Sequence, residues 1–209
     1  MVNPWVWGKL HKLIAALSFS EIPSSTLLLT MLKKIIVVLL VLLGGLLAVI
    51  VSRPESYRVA RSTTIVAPAA DVFALVNDFH NWDDWSPWAK LDPAMKKTYD
   101  GAATGVGAGY YWIGDDKVGE GRMTITESQP NEKVGIKLEF LKPFAAVNAT
   151  DFTIKPEGNG VTVNWTMTGH NDLMGKAASL FMDMEKMIGG DFEKGLAQMK
   201  ARAESKPKL

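Results

Sequence analysis

The stretch Gly160–Thr168 reads GVTVNWTMT, with Val161, Val163, Trp165 and Met167 alternating against Thr162, Asn164, Thr166 and Thr168. A period of two belongs to a strand whose successive side chains point to opposite faces, so one face is dry and the other wet. Lys133–Phe140, KVGIKLEF, repeats the pattern, with Val134, Ile136, Leu138 and Phe140 against Lys133, Lys137 and Glu139. Working outward, strands are predicted around Met95–Tyr99, Gly109–Gly114, Gly119–Glu127 and Ala146–Lys155. The separators Asp115-Asp116, Gln129-Pro130-Asn131 and Glu157-Gly158-Asn159-Gly160 are turn chemistry. Farther upstream, Arg58–Ala67 reads as a first strand, and Pro68 opens a helix whose packing face is Val72, Phe73, Leu75 and Val76.

A sheet with one dry face needs a cover. Leu180, Met184, Ile188, Phe192, Leu196, Met199 and Ala203 recur at helical spacing, a stripe long enough to lie across a curved sheet. Gly189-Gly190 interrupts the stripe, so a bend or break is expected there, between a short helix and the main one. The methionines of this segment are either ordinary core residues or the adaptable lining of a cavity.

The order strand, short helices, six antiparallel strands and long C-terminal helix resembles the α+β helix-grip fold of the START-like (SRPBCC) superfamily, in its polyketide cyclase/dehydrase and lipid-transport group. The resemblance covers roughly Tyr57–Glu204 and rests on Thr63–Val76 (TTIVAPAADVFALV), Asn81–Trp88 (NWDDWSPW) and Met187–Lys200 (MIGGDFEKGLAQMK). It implies a curved antiparallel sheet wrapped around the C-terminal helix, with an apolar or amphipathic molecule bound between them. Cyclisation or hydrolysis takes place there in some members.

On that expectation the sheet and loops supply Trp82, Trp85, Trp88, Tyr99, Tyr111, Trp112 and Trp165 to the ligand site. The helix supplies Met184, Ile188, Phe192, Leu196 and Met199. Trp82, Trp85 and Trp88 are spaced by three, which brings them near one another on helical turns until Pro87 intervenes. They either pack the short helices onto the sheet edge or shield one end of the cavity. On a strand Tyr110 and Trp112 share one face and Tyr111 takes the other, so all three reach one pocket only through a bulge.

His80 and Asp83 are the acid/base candidates, and they lie on a turn without the HxxxH or HExxH spacing of a helical zinc site, so no metal is expected. Gly105-Val106-Gly107-Ala108-Gly109 resembles a phosphate loop only in glycine count, lacking the Lys-Ser/Thr and helix that should follow. No cofactor is expected.

Upstream of the domain, Ile35–Val51, IIVVLLVLLGGLLAVIV, carries no charge and is preceded by Lys33-Lys34. As a helix it spans roughly 25 Å, near the lower limit for crossing a bilayer, and extension through Leu32 with snorkelling lysines lengthens it. The readings are an uncleaved anchor over residues 31–52, a cleaved signal, or a buried soluble helix; the absence of a clean small-x-small site before Arg53 favours the anchor. Residues 53–209 then form the START-like helix-grip domain that the resemblance implies. Residues 1–30 form an extension that fits awkwardly, with translation starting at Met1 or Met31; Trp5, Trp7, Leu10, Leu13, Ile14 and Leu17 make an amphipathic segment within it. Lys9, Lys12, Lys33 and Lys34 outnumber Arg53, Arg58 and Arg61 across the run, which favours a single-pass protein with an extracytoplasmic domain.

The 209 residues carry a formal net charge of +1, a balance that gives no reason to expect nucleic acid. The chain contains no cysteine, which excludes disulfides and thiolate chemistry. The expected function is membrane-tethered binding of a small hydrophobic or lipid-like ligand, with the membrane engaged through residues 35–51. The alternatives are a cyclase, dehydratase or hydrolase on an apolar substrate, and a protein-interaction module whose core is filled.

Overall fold

The computed structural model describes residues 25–205, so the amphipathic segment read around Trp5–Leu17 lies outside the described residues. The chain divides into two compact units between Ser52 and Arg53. The first holds helix α1, Ser25–Val51, in which Thr26–Val51 is long and apolar enough to cross a membrane. Apolar side chains stand exposed around it, Leu40 and Val41 among them.

The second unit contains seven strands: β1 Ser56–Ile65, β2 Lys96–Gly101, β3 Ala108–Ile113, β4 Glu120–Gln129, β5 Lys133–Lys142, β6 Ala146–Glu157 and β7 Gly160–His170. They form one curved antiparallel sheet in the order β1-β7-β6-β5-β4-β3-β2. After β1 come helix α2, Ala69–Asn77, and a 3-10 helix, Phe79–Asp84; after β7 come α3, Leu173–Ala178, and α4, Met184–Glu204. This is the helix-grip arrangement.

The alternation read in β5 and β7 sorts the sheet as expected. Val134, Ile136, Val161, Val163, Trp165 and Met167 are buried on the inner face. Phe152 and Ile154 of β6 join them. Helix α4 covers this face with Phe192, Leu196, Met199 and Ala203, all buried. It runs alongside β1: Lys200 Nζ donates to the Thr64 carbonyl at 2.7 Å, and the Val66 N–H donates to Glu204 Oε1 at 2.8 Å.

The expected break at Gly189-Gly190 does not occur. The short and main helices divide at Ser179–Asp183 instead, and α4 runs unbroken through both glycines. Asp183 ends the gap by accepting the Lys186 N–H at 3.2 Å, an N-cap that satisfies one of the first-turn donors. The glycine pair has another purpose. A Cβ on Gly189 would stand 2.0 Å from Arg61 Nη2, so the missing side chain lets the guanidinium lie against the helix. Arg61 donates to Glu185 at 2.5 Å and to Glu193 at 2.6 Å, the carboxylates four residues to either side of Gly189.

Candidate functional site

The segment after α2 builds one wall of the site. Asp78 caps the 3-10 helix by accepting the His80 N–H at 2.9 Å. The tryptophan spacing of three then matches its three residues per turn. Trp82 and Trp85 turn their rings inward, with centroids 4.7 Å apart. Their indole N–H groups donate to Val76 O at 3.1 Å and Leu75 O at 2.9 Å, carbonyls in the last turn of α2 that the helix itself leaves unpaired. The two rings therefore fasten α2 to the sheet as well as filling the core.

Between this wall, the inner sheet face and α4 lies a cavity of about 280 Å³. Trp82, Trp88, Trp112, Trp165, Ile188 and Phe192 line it, which brings together half of the twelve ring and helix positions expected from the sequence. Trp165 stacks on Phe192 with centroids 3.9 Å apart, and Trp88 meets both rings edge-on at 5.8 and 6.3 Å.

The other six expected positions lie outside the lining. Trp85 is fully buried behind Trp82, edge-on to Trp165 at 5.6 Å. Leu196 and Met199 are buried where α4 seats on the sheet, one and two turns beyond Phe192. Met184, at the start of α4, borders a separate surface hollow with Arg53, Tyr57 and Leu180. Tyr99 lies on edge strand β2, stacked on the His80 imidazole at 4.1 Å.

Tyr111 is the instructive case. Strand β3 carries no bulge opposite it in either ladder, so the parity rule holds and the cavity takes Tyr110 and Trp112, stacked at 5.8 Å. Tyr111 takes the other face, where its hydroxyl donates to Glu120 and Lys142 pairs with the same carboxylate. Trp112 lies across Gly121 of β4, where a Cβ would stand 2.4 Å from the ring.

The acid/base candidates separate. His80 sits outside the cavity with Nδ1 2.8 Å from Asp78 Oδ1. Asp83 reaches the cavity rim and is ion-paired with Lys97. Asp191 also lines the cavity and pairs with Lys194 at 3.0 Å. Burial, with smaller contributions from Tyr99 and Asp83, raises the Tyr110 phenol well above its ordinary value and keeps it neutral. No group of three or more acidic or histidine side chains suited to a metal occurs among the described residues.

Two buried polar atoms stand out on the residues of this largely apolar lining. Trp165 Nε1 and Thr150 Oγ1 are buried and have no hydrogen-bond partner among the described residues. Both residues line the cavity, from adjacent strands β7 and β6. Leaving such a group dry and unpaired costs about 1–3 kcal/mol. The indoles of Trp82, Trp85 and Trp112 have carbonyl acceptors, whereas the Trp165 indole is buried without one.

Tyr110, Thr150 and Met167 are lining residues that the sequence reading did not select. Parity held the signal for all three. Tyr110 shares a face with Trp112, Met167 with Trp165, and Thr150 with the apolar Phe152 and Ile154, where an isolated hydroxyl marks a polar point on a dry face.

The fold and the enclosed apolar site define a helix-grip cavity protein. More particularly, residues 56–204 match the family described as polyketide cyclase / dehydrase and lipid transport, and the chain belongs to that family. A solved protein from Chromobacterium violaceum is similar at 16% identity over 73% of this chain and 100% of its own, with a TM-score of 0.51. An uncharacterised protein from Rhizobium leguminosarum reaches a TM-score of 0.55 at 14% identity, over 73% of this chain and 97% of its own. The di-domain ARO/CYC protein StfQ of the steffimycin biosynthetic pathway gives 0.54 at 11% identity, covering 72% of this chain and 51% of its own. These likenesses are of fold. No curated protein matches the chain.

Proposed function

We propose that residues 53–209 bind a small hydrophobic or lipid-like molecule in the cavity between sheet and α4, and that residues 31–52 tether this domain to a membrane. The observation that carries the reading is the pair of unpartnered buried groups, Trp165 Nε1 and Thr150 Oγ1, on two residues that line a largely apolar cavity. A ligand with an apolar body and one hydrogen-bond acceptor, such as a carbonyl or ether oxygen, would satisfy the indole N–H, and the hydroxyl can either donate or accept. Apolar contacts supply affinity and the two polar atoms fix orientation.

The cavity volume limits the guest to a modest molecule or to part of a longer one whose remainder leaves through the mouth. Binding is favoured over catalysis because the lining carboxylates, Asp83 and Asp191, are each tied to a lysine, while His80 stands away from the cavity. A general acid or base has to reach the reacting atom.

Native mass spectrometry of the full chain purified in mild detergent tests the reading. A retained molecule with an apolar body and a polar head or carbonyl, released on denaturation, is the expected result. Failure to retain any such molecule, together with no binding of fatty acids or aromatic ketones by the intact chain, would contradict it.

A further inference from the structure

The sheet has two chemically different ends. A single row runs across it through Tyr57, Gly169, Asn148, Leu138, Met123 and Tyr110. Beyond that row, on the side where β1 begins, lie the β5–β6 hairpin tip, the β3–β4 loop and the chain leaving β7 for α3 and α4. Large apolar side chains stand in solvent there: Phe144 is 79% exposed, Phe181 88% and Met174 73%, with Leu141, Leu173 and Met182 beside them in sequence. At the opposite end the connections are the polar turns Pro130-Asn131-Glu132 and Gly158-Asn159 and the β2–β3 loop, where Val106 is the exposed large apolar residue among the described residues.

The apolar end is also the tethered end. Only Ser52–Glu55 separate α1 from β1, and an extended chain of that length spans at most about 18 Å between Val51 and Ser56. That linker is held to the exit of β7: the Asn171 N–H donates to Glu55 O at 2.8 Å, Asn171 Nδ2 donates to Pro54 O at 3.2 Å, and Lys176 lies 3.6 Å from Glu55. The cavity has its exposed edge there too. Met187, 52% exposed in the first turn of α4, and Lys117, exposed in the β3–β4 loop, both line it.

We infer that this end of the domain docks on the lipid bilayer, with Phe144 and Phe181 inserted among the acyl chains and the cavity mouth at Met187 and Lys117 turned toward the membrane, so that the ligand passes between bilayer and cavity without crossing bulk water. The inference rests on the reading of α1 as a membrane anchor. The occupant is the membrane surface because a four-residue linker holds this face within reach of it, and patches of exposed Phe, Leu and Met transfer favourably into the interface. Charge is not the driving force. Lys142, Lys176 and Lys186 at this end are paired with Glu120, Glu55 and Asp183. Docking is therefore expected on neutral phosphatidylcholine and is insensitive to salt.

The absence of cysteine allows single labelled positions to be introduced into the full chain. The full chain is reconstituted in phosphatidylcholine vesicles with a polarity-sensitive fluorophore on Phe144→Cys, Phe181→Cys, Val106→Cys, Asn159→Cys or Val41→Cys, and lipids carrying a nitroxide on the acyl chain are added. Labels at positions 144 and 181 should shift to the blue and lose most of their emission, as should the α1 label at 41, while those at 106 and 159 should remain open to aqueous iodide. Quenching at 41 with none at 144 or 181 overturns docking and leaves the anchor standing. No quenching at 41 overturns the anchor and docking together, and equal quenching at 144 and 159 overturns the orientation.

Discussion

The rings of Trp165 and Phe192 lie face to face, with centroids 3.9 Å apart and planes 8° apart. One belongs to β7 and the other to α4, so this contact joins the two layers that enclose the cavity while leaving the indole N–H bare. Phe192→Ala removes a fully buried ring from that junction. It should lower the stability of the 53–209 domain by about 3–5 kcal/mol, read as a shift in urea midpoint without a change in slope. A loss below about 1 kcal/mol would show that α4 is held by something else.

Thr150→Val keeps the side chain's branching and removes the unpartnered hydroxyl. Ligand-free stability should rise by about 1 kcal/mol because a buried polar group without a partner is replaced by a methyl, while ligand affinity should fall about tenfold. Opposite movements of these two quantities, measured by thermal unfolding and by titration of the molecule that the protein retains, distinguish a ligand contact from a packing residue. If both fall together, the hydroxyl supports the fold instead.

The two adjacent glycines of α4 should respond differently to the same substitution. Around Gly190 a new Cβ meets nothing within 4 Å, so Gly190→Ala should stabilise the domain by about 0.5–1 kcal/mol through helix propensity alone. Gly189→Ala displaces the Arg61 guanidinium and weakens its bonds to Glu185 and Glu193, which offsets that gain. Equal stabilisation by the two changes, in chemical denaturation of the 53–209 domain, would contradict the role assigned to Gly189.

All four tyrosines have phenols raised above their ordinary value: Tyr57, Tyr99 and Tyr110 chiefly by burial, Tyr111 chiefly by its bond to Glu120. A phenol whose folded pKa exceeds its unfolded one contributes stability that is complete below about pH 10 and is lost as pH rises through the folded value. Ultraviolet titration of the folded domain should show no phenolate forming near pH 10, and ionisation at higher pH should coincide with unfolding. A tyrosine that ionises near pH 10 while the near-ultraviolet dichroism stays native would contradict this.

Strand identity was legible because Val161–Met167 and Val134–Phe140 alternate over long runs, and the cover was legible because Phe192, Leu196 and Met199 recur at helical spacing. Gly189-Gly190 misled for a physical reason: glycine has low helix propensity, but here a cation from β1 needs the space, a long-range contact that local pattern does not encode. The cavity lining was half legible for a similar reason. Leu196 and Met199 share the apolar stripe of Phe192, yet the sheet closes against α4 at their level and opens only toward its first turns. Tyr110 was recoverable from parity with Trp112, whereas the missing partner of Trp165 Nε1 depends on which carbonyls the fold brings near it, and local pattern does not encode that.

The bare indole gives the most direct test of the proposed binding site. The 53–209 domain, labelled with nitrogen-15 at tryptophan, is titrated with a lipid extract of the cells in which the protein is made, and the indole N–H resonances are followed. The Trp165 resonance should move strongly downfield on gaining an acceptor, while those of Trp82 and Trp85, already bonded to Val76 and Leu75, should move little. A Trp165 resonance unmoved when the extract is saturating would contradict the account.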